Sequence, residues 1–192
     1  MDHISNLTLY ITFFVSLYFE VFLLINFLEK RTAIQTEELK VPQRFPSTTI
    51  IVPVFNEEKT IIKTVFSLLK LDYPKDKLKI IIVDDGSKDG TAEIIKRFRT
   101  NKRIEIISKK NGGKYTALNQ GLLRTKSELV GCLDADSFVL PDTLKKIIVH
   151  FENEKTMAVP PAVKIYQPDK FIRHVQNNEY NLGIFIKKSF SI

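Results

Sequence analysis

The stretch Leu78-Lys79-Ile80-Ile81-Ile82-Val83-Asp84-Asp85-Gly86-Ser87 joins a β-branched apolar run to an acidic, glycine-bearing loop. Runs of this kind are buried on both faces and belong to parallel sheets. Upstream, residues 48–54 (TTIIVPV) repeat the pattern, followed by Asn56, a good helix N-cap, and a helix over residues 57–69. The apolar positions Ile61, Ile62, Val65, Leu68 and Leu69 mark one face of that helix, and Asp72-Tyr73-Pro74 stops it. Downstream the order is a helix over 92–99, a strand over 104–107, a basic Gly-Gly loop and a helix over 115–124. A strand over 129–133, a helix from Pro141 to about residue 151, a strand over 157–166 and a helix over 171–188 complete it. Strand–helix alternation at this spacing predicts an α/β fold with a mainly parallel sheet flanked by helices. In such sheets ligands bind beyond the carboxyl ends of the strands.

That rule selects four loops: Asn56-Glu57, Asp84-Asp85-Gly86, Asn111-Gly112-Gly113-Lys114 and Asp134-Ala135-Asp136. Asp134 and Asp136, two apart past a buried strand, can converge on a hard cation such as Mg²⁺ or Mn²⁺ that shares its shell with phosphates. Equally, they can be turn formers that accept backbone hydrogen bonds. A carboxylate at the end of the 78–83 strand can accept from a base N–H or from ribose hydroxyls. Lys114, after two glycines at a helix start, suits phosphate, although an ordinary surface lysine reads the same way.

Absences narrow the chemistry. No GxGxxG follows the first strand and no GxxxxGK[ST] occurs, which disfavours dinucleotide-binding and P-loop sites. One cysteine, Cys132, excludes an internal disulfide framework and a multi-cysteine zinc site, and His3, His150 and His174 lie far apart. No activated nucleophile stands out. The net charge of +7 suggests an anionic partner or simply a Lys-rich surface. The basic residues are scattered and form no nucleic-acid module, so no nucleic-acid partner is expected.

The N-terminal residues 4–28 (ISNLTLYITFFVSLYFEVFLLINFL) carry one charge, Glu20. About 20 apolar residues span a bilayer core, so this segment is expected to be a single transmembrane helix, the alternative being a buried helix of a soluble protein. Glu20 costs about 2.5–3.5 kcal/mol at mid-helix, which the surrounding Leu, Ile and Phe residues outweigh. Lys30 and Arg31 follow directly, while the other flank has neither Lys nor Arg. The positive-inside rule then puts the following domain on the cytoplasmic side. Residues 29–46 form a polar connector, 47–166 the sheet domain, and 167–192 an amphipathic helix.

In order, Val52-Pro53-Val54-Phe55-Asn56-Glu57-Glu58, Val83-Asp84-Asp85-Gly86-Ser87-Lys88-Asp89-Gly90-Thr91, Asn111-Gly112-Gly113-Lys114 with Ala117-Leu118-Asn119 and Gly121, and Asp134-Ala135-Asp136 resemble the family 2 glycosyltransferases of GT-A fold. The Gly-Gly-Lys element and the preceding apolar helix resemble the membrane-embedded branch, which includes cellulose, hyaluronan and poly-N-acetylglucosamine synthases. The resemblance implies transfer of a glycosyl group from a nucleotide-diphosphate sugar, a UDP-sugar in particular, to a glycan or lipid acceptor, with Mg²⁺ or Mn²⁺. It places Pro53, Asn56 and Glu57 in the nucleotide pocket, Asp85 on the base, and Lys114 near the diphosphate or base. Asp134 would hold ribose and, with Asp136, the metal. The helix containing Gln176-Asn177-Asn178-Glu179-Tyr180 would dock on the membrane through Phe171, Val175, Leu182 and Phe185, with Lys187 and Lys188 near headgroups.

Members of the family continue to an acidic motif supplying the catalytic base and to a Gln-x-x-Arg-Trp motif. This sequence contains no Trp and ends 56 residues after Asp136. The expectation is a donor-binding half with no assignable catalytic base, completed by a second chain. The alternative is a catalytically inactive, membrane-anchored nucleotide-sugar-binding or regulatory module.

Overall fold

The computed structural model describes residues 2–35, 41–166 and 171–190. The chain divides into two units, Lys40–Val159 and Met1–Leu39 together with Pro160–Ile192.

The first unit holds a four-stranded sheet, β1 (Thr48–Val54), β2 (Leu78–Asp84), β3 (Ile104–Ser108) and β4 (Leu129–Cys132). Its spatial order is β3-β2-β1-β4 and every pairing is parallel. The chain runs outward from β1 through β2 to β3, then returns to the other side of β1. A crevice opens at that reversal, outside the carboxyl ends of β1 and β4. β1 is buried along its whole length, as expected of a β-branched strand inside the sheet, and its two polar residues, Thr48 and Thr49, bond through their hydroxyls to Tyr73 and Ser127.

Alternation along β1 and β2 splits the core into two layers. Ile50, Val52, Val54, Ile80 and Ile82 meet α2 (Ile61–Leu69), α3 (Thr91–Lys96) and α5 (Thr143–Ile148) through Ile61, Val65, Leu68, Ile95, Leu144 and Ile148. On the opposite face Ile51, Ile81 and Val83 meet α4 (Lys114–Leu123) through Ala117 and Leu118. The approach of α4 is close at Gly121, where a Cβ would lie 2.6 Å from Cγ2 of Ile51. β4 is half covered, with Val130 and Cys132 exposed. The far ends of β1 and β4 are clamped by Glu128, which pairs with Arg44 and accepts from the backbone N–H of Ser47 at 3.0 Å.

Several sequence-derived boundaries need correction. The helix expected from residue 57 begins at Ile61, and Asn56 is not its cap: it adopts φ 54°, in the left-handed region. The helix expected over 92–99 ends at Lys96. The one expected from Pro141 to about 151 starts at Thr143 and passes after Ile148 into a 3₁₀ turn, Val149–Glu152. The strand expected over 157–166 does not form. Pro160 and Pro161 supply no N–H to a ladder, which accounts for its absence.

In the second unit α1 runs over Asp2–Gln35, seven residues beyond the expected end at Leu28. Its segment Asn6–Asn26 is long and apolar enough to cross a bilayer, and none of it is buried. The side chains of Lys30 and Arg31 lie outside the described residues. Phe171–Phe190 forms α6, with Phe171, Val175 and Leu182 exposed; the side chains of Phe185, Lys187 and Lys188 lie outside the described residues.

Candidate functional site

The loops after β1 and β2 are laced together. Turning into positive φ lets the backbone N–H of Asn56 donate to Ser87 Oγ at 3.0 Å, while its Oδ1 accepts from the N–H of Lys88 at 2.8 Å. The N–H of Glu57 donates to the buried hydroxyl of Thr91 at 2.8 Å, and Glu57 Oε2 accepts from Thr60 Oγ1 at 2.6 Å. Glu58 closes the seam by accepting from the N–H of Gly90 at 2.8 Å. These bonds satisfy groups that would otherwise go unpaired where the chain leaves the sheet.

Asp85 follows β2 and is 3% exposed. Its backbone N–H donates to Val54 O at 2.8 Å, and its carboxylate pairs with the Lys109 ammonium. The N–H of Gly112 donates to Oδ1 at 3.0 Å and that of Gly113 to Oδ2 at 2.7 Å. Burial works to raise the carboxyl's pKa, but the Lys109 bond and the two glycine N–H groups outweigh it and hold it below the ordinary range. Gly113, at φ 92°, turns the chain into α4 and delivers Lys114. Gly86, at φ 78°, leaves room for the loop, since a Cβ there would lie 2.8 Å from the backbone N of Asn111.

Lys114 Nζ donates to Asp134 Oδ1 at 2.5 Å, and this bond raises the lysine's pKa. Ala135 is buried, and its carbonyl accepts from Thr64 Oγ1 of α2 at 2.8 Å. That anchor turns the aspartates on either side outward; both are exposed, and Ser137 Oγ donates to Asp136 Oδ1 at 3.2 Å.

One cleft of about 500 Å³ gathers most of these groups. Pro53, Glu57, Asp85, Lys114, Asp134 and Asp136 all line it, as do Phe55, Asn111 and Ala117. Asn56, expected with them, is not on its wall and instead fastens the β2 loop. Lys109 was not singled out by the sequence, where it is one of 29 basic residues; its only signal was membership of the basic Gly-Gly loop. Among the described residues no group of three or more His, Cys, Asp or Glu side chains converges on a point. Asp134 and Asp136 nevertheless fit a hard divalent cation, because they are paired oxygen donors on an open cleft where water and phosphate oxygens can complete the shell.

A family model described as glycosyl transferase family 2 matches residues 49–191. The chain is 33% identical over 195 residues to a poly-beta-1,6-N-acetyl-D-glucosamine synthase from Staphylococcus epidermidis, covering 99% of this chain and 47% of that protein. It is 34% identical over 155 residues to the synthase of the same description from Staphylococcus aureus strain COL, covering 80% and 36%. Curated relatives such as these are thus at least about twice as long. Among solved structures, S. aureus TarS 1-349 in complex with UDP-GlcNAc superposes with a TM-score of 0.52 at 28% identity, over 60% of this chain and 37% of that one. The mannosyltransferase PcManGT from Pyrobaculum calidifontis, in complex with GDP-Man and Mn²⁺, gives 0.58 at 26% identity, over 82% and 47%.

Proposed function

The chain belongs to glycosyl transferase family 2, and from that premise we propose that its cleft binds a nucleotide-diphosphate sugar, a UDP-sugar, together with Mg²⁺ or Mn²⁺, for glycosyl transfer to a glycan or lipid acceptor. The observation that carries the reading is the gathering of Pro53, Glu57, Asp85, Lys114, Asp134 and Asp136 around one cleft at the point where the strand order reverses. Similarity to a protein solved with UDP-GlcNAc supports the donor class.

In this reading Asp85 receives the base, and Lys114 meets the diphosphate as a point charge. Asp134 and Asp136 would hold the cation, which when bound neutralises charge on the diphosphate leaving group. The acceptor hydroxyl needs a base within hydrogen-bond reach, and we assign that base to protein outside this cleft, such as a second chain. The segment Asn6–Asn26 would anchor the protein in a bilayer, with Lys30 and Arg31 on the cytoplasmic side and α6 at the interface. For the domain limits we propose a connector over residues 29–46, a sheet domain over 47–166 and an amphipathic helix over 167–192.

Thermal unfolding of the full chain in detergent micelles tests this. UDP should raise the midpoint with Mn²⁺ or Mg²⁺ present and not with EDTA, and Asp136→Ala should abolish that cation dependence. No shift with UDP, GDP or any other nucleotide would sink the reading.

A further inference from the structure

Asp85 is the most enclosed carboxylate on the cleft wall, and the group that encloses it has no contact left to offer a ligand. An ammonium carries three donors. Those of Lys109 go to Asp85 Oδ1, to Lys110 O at 2.7 Å and to Thr116 Oγ1 at 2.8 Å. Its side chain is 20% exposed. Whatever Lys109 does for a bound nucleotide, it does through Asp85.

A carboxylate offers about four acceptor directions. Oδ1 accepts from Lys109 and from Gly112, and Oδ2 accepts from Gly113. Three directions are therefore occupied, and the fourth belongs to Oδ2 of a residue that lines the cleft. We propose that Lys109 is a positioning residue for nucleotide recognition: by occupying Oδ1 it leaves Asp85 a single acceptor direction, on Oδ2, for an N–H donor of the base. The proposal rests on the donor reading above. Without Lys109 the carboxylate has two open directions and no neutralising charge, so it no longer presents one fixed acceptor. Lys114, Asp134 and Asp136, which meet the diphosphate end in that reading, make none of these bonds.

Isothermal titration of the full chain in detergent with Mn²⁺, using UDP and inorganic pyrophosphate as probes, separates the two ends of the ligand. Lys109→Met should weaken UDP at least about tenfold, the worth of one charge-assisted hydrogen bond, and leave pyrophosphate within about twofold. The double variant Lys109→Met/Asp85→Asn should bind UDP no more weakly than Asp85→Asn alone. Equal loss of both probes would make Lys109 a loop strut and overturn the proposal. So would unchanged UDP binding, or a multiplicative loss in the double variant. Should the single variant fail to fold around an unpaired buried carboxylate, the double, which removes both charges, is compared with Asp85→Asn and decides the matter. A wild-type chain that binds no UDP sinks the donor reading and this proposal with it; UDP binding without the split between probes sinks this proposal alone.

Discussion

Lys114, the first residue of α4, and Asp134, two residues past β4, are joined by a hydrogen bond of 2.5 Å across the mouth of the cleft. Both side chains are more than half exposed, so the pair contributes little to stability and can exchange partners with a ligand. Lys114→Met is therefore expected to weaken UDP and pyrophosphate together, by about tenfold each, with the unfolding midpoint little changed. Titration of both probes checks it; loss confined to UDP would move Lys114 from the diphosphate to the base.

Gly121 is where helix and sheet come closest. A methyl group there would lie 2.6 Å from Cγ2 of Ile51, which is 1% exposed and fixed in the sheet. Alanine gains about 1 kcal/mol in helix propensity, yet overpacking costs about 1–3 kcal/mol, and at this distance the cost wins. Gly121→Ala should lower the urea midpoint of the sheet domain.

Thr91 is fully buried, and its hydroxyl accepts the N–H of Glu57 from the β1 loop. Thr91→Val keeps the shape and leaves that donor unpaired, at a cost of about 1–3 kcal/mol. Urea unfolding should show the loss, with faster amide exchange at Glu57. An unchanged midpoint would mean that water replaces the hydroxyl.

The acid side of the stability profile should depend on Asp85. Its folded pKa is held below its unfolded value, so its contribution is complete above the ordinary carboxylate range near 3.8 and is lost as pH falls below it toward the folded value. Urea midpoints at pH 7 and at pH 3.5 should therefore differ less in Asp85→Asn than in the wild type. Asp89, Glu93, Glu128 and Asp142 also have lowered pKa values and act in both proteins, so the difference between them isolates Asp85.

β1 runs over the residues its sequence indicates, because a run of β-branched residues suits a strand buried on both faces, threonines included where their hydroxyls find partners. The chemically loaded loops were legible for the same reason, since a parallel sheet brings the ends of its strands to one edge. The cap expected at Asn56 does not form because N-cap preference is local, whereas its conformation serves bonds to Ser87 and Lys88 about thirty residues away. Residues 157–166 carry Met157, Val159, Val163 and Tyr166, apolar enough for a strand, but a strand also needs neighbours and donors. What sets Lys109 apart from the other lysines is Asp85 beside it, a contact made by the fold and not by the local sequence.

The clamp between Ser47 and Glu128 joins residues 81 apart, and during synthesis that spacing becomes a waiting time. At about 5–20 residues per second, Glu128 is added about 4–16 s after Ser47. β2 can pair with β1 earlier, but the β4 side of β1 stays open for the whole interval. Of the two inner strands in the described sheet, β1 is thus the one a nascent chain leaves half-paired longer, with an open edge to shield from neighbouring chains on a crowded ribosome.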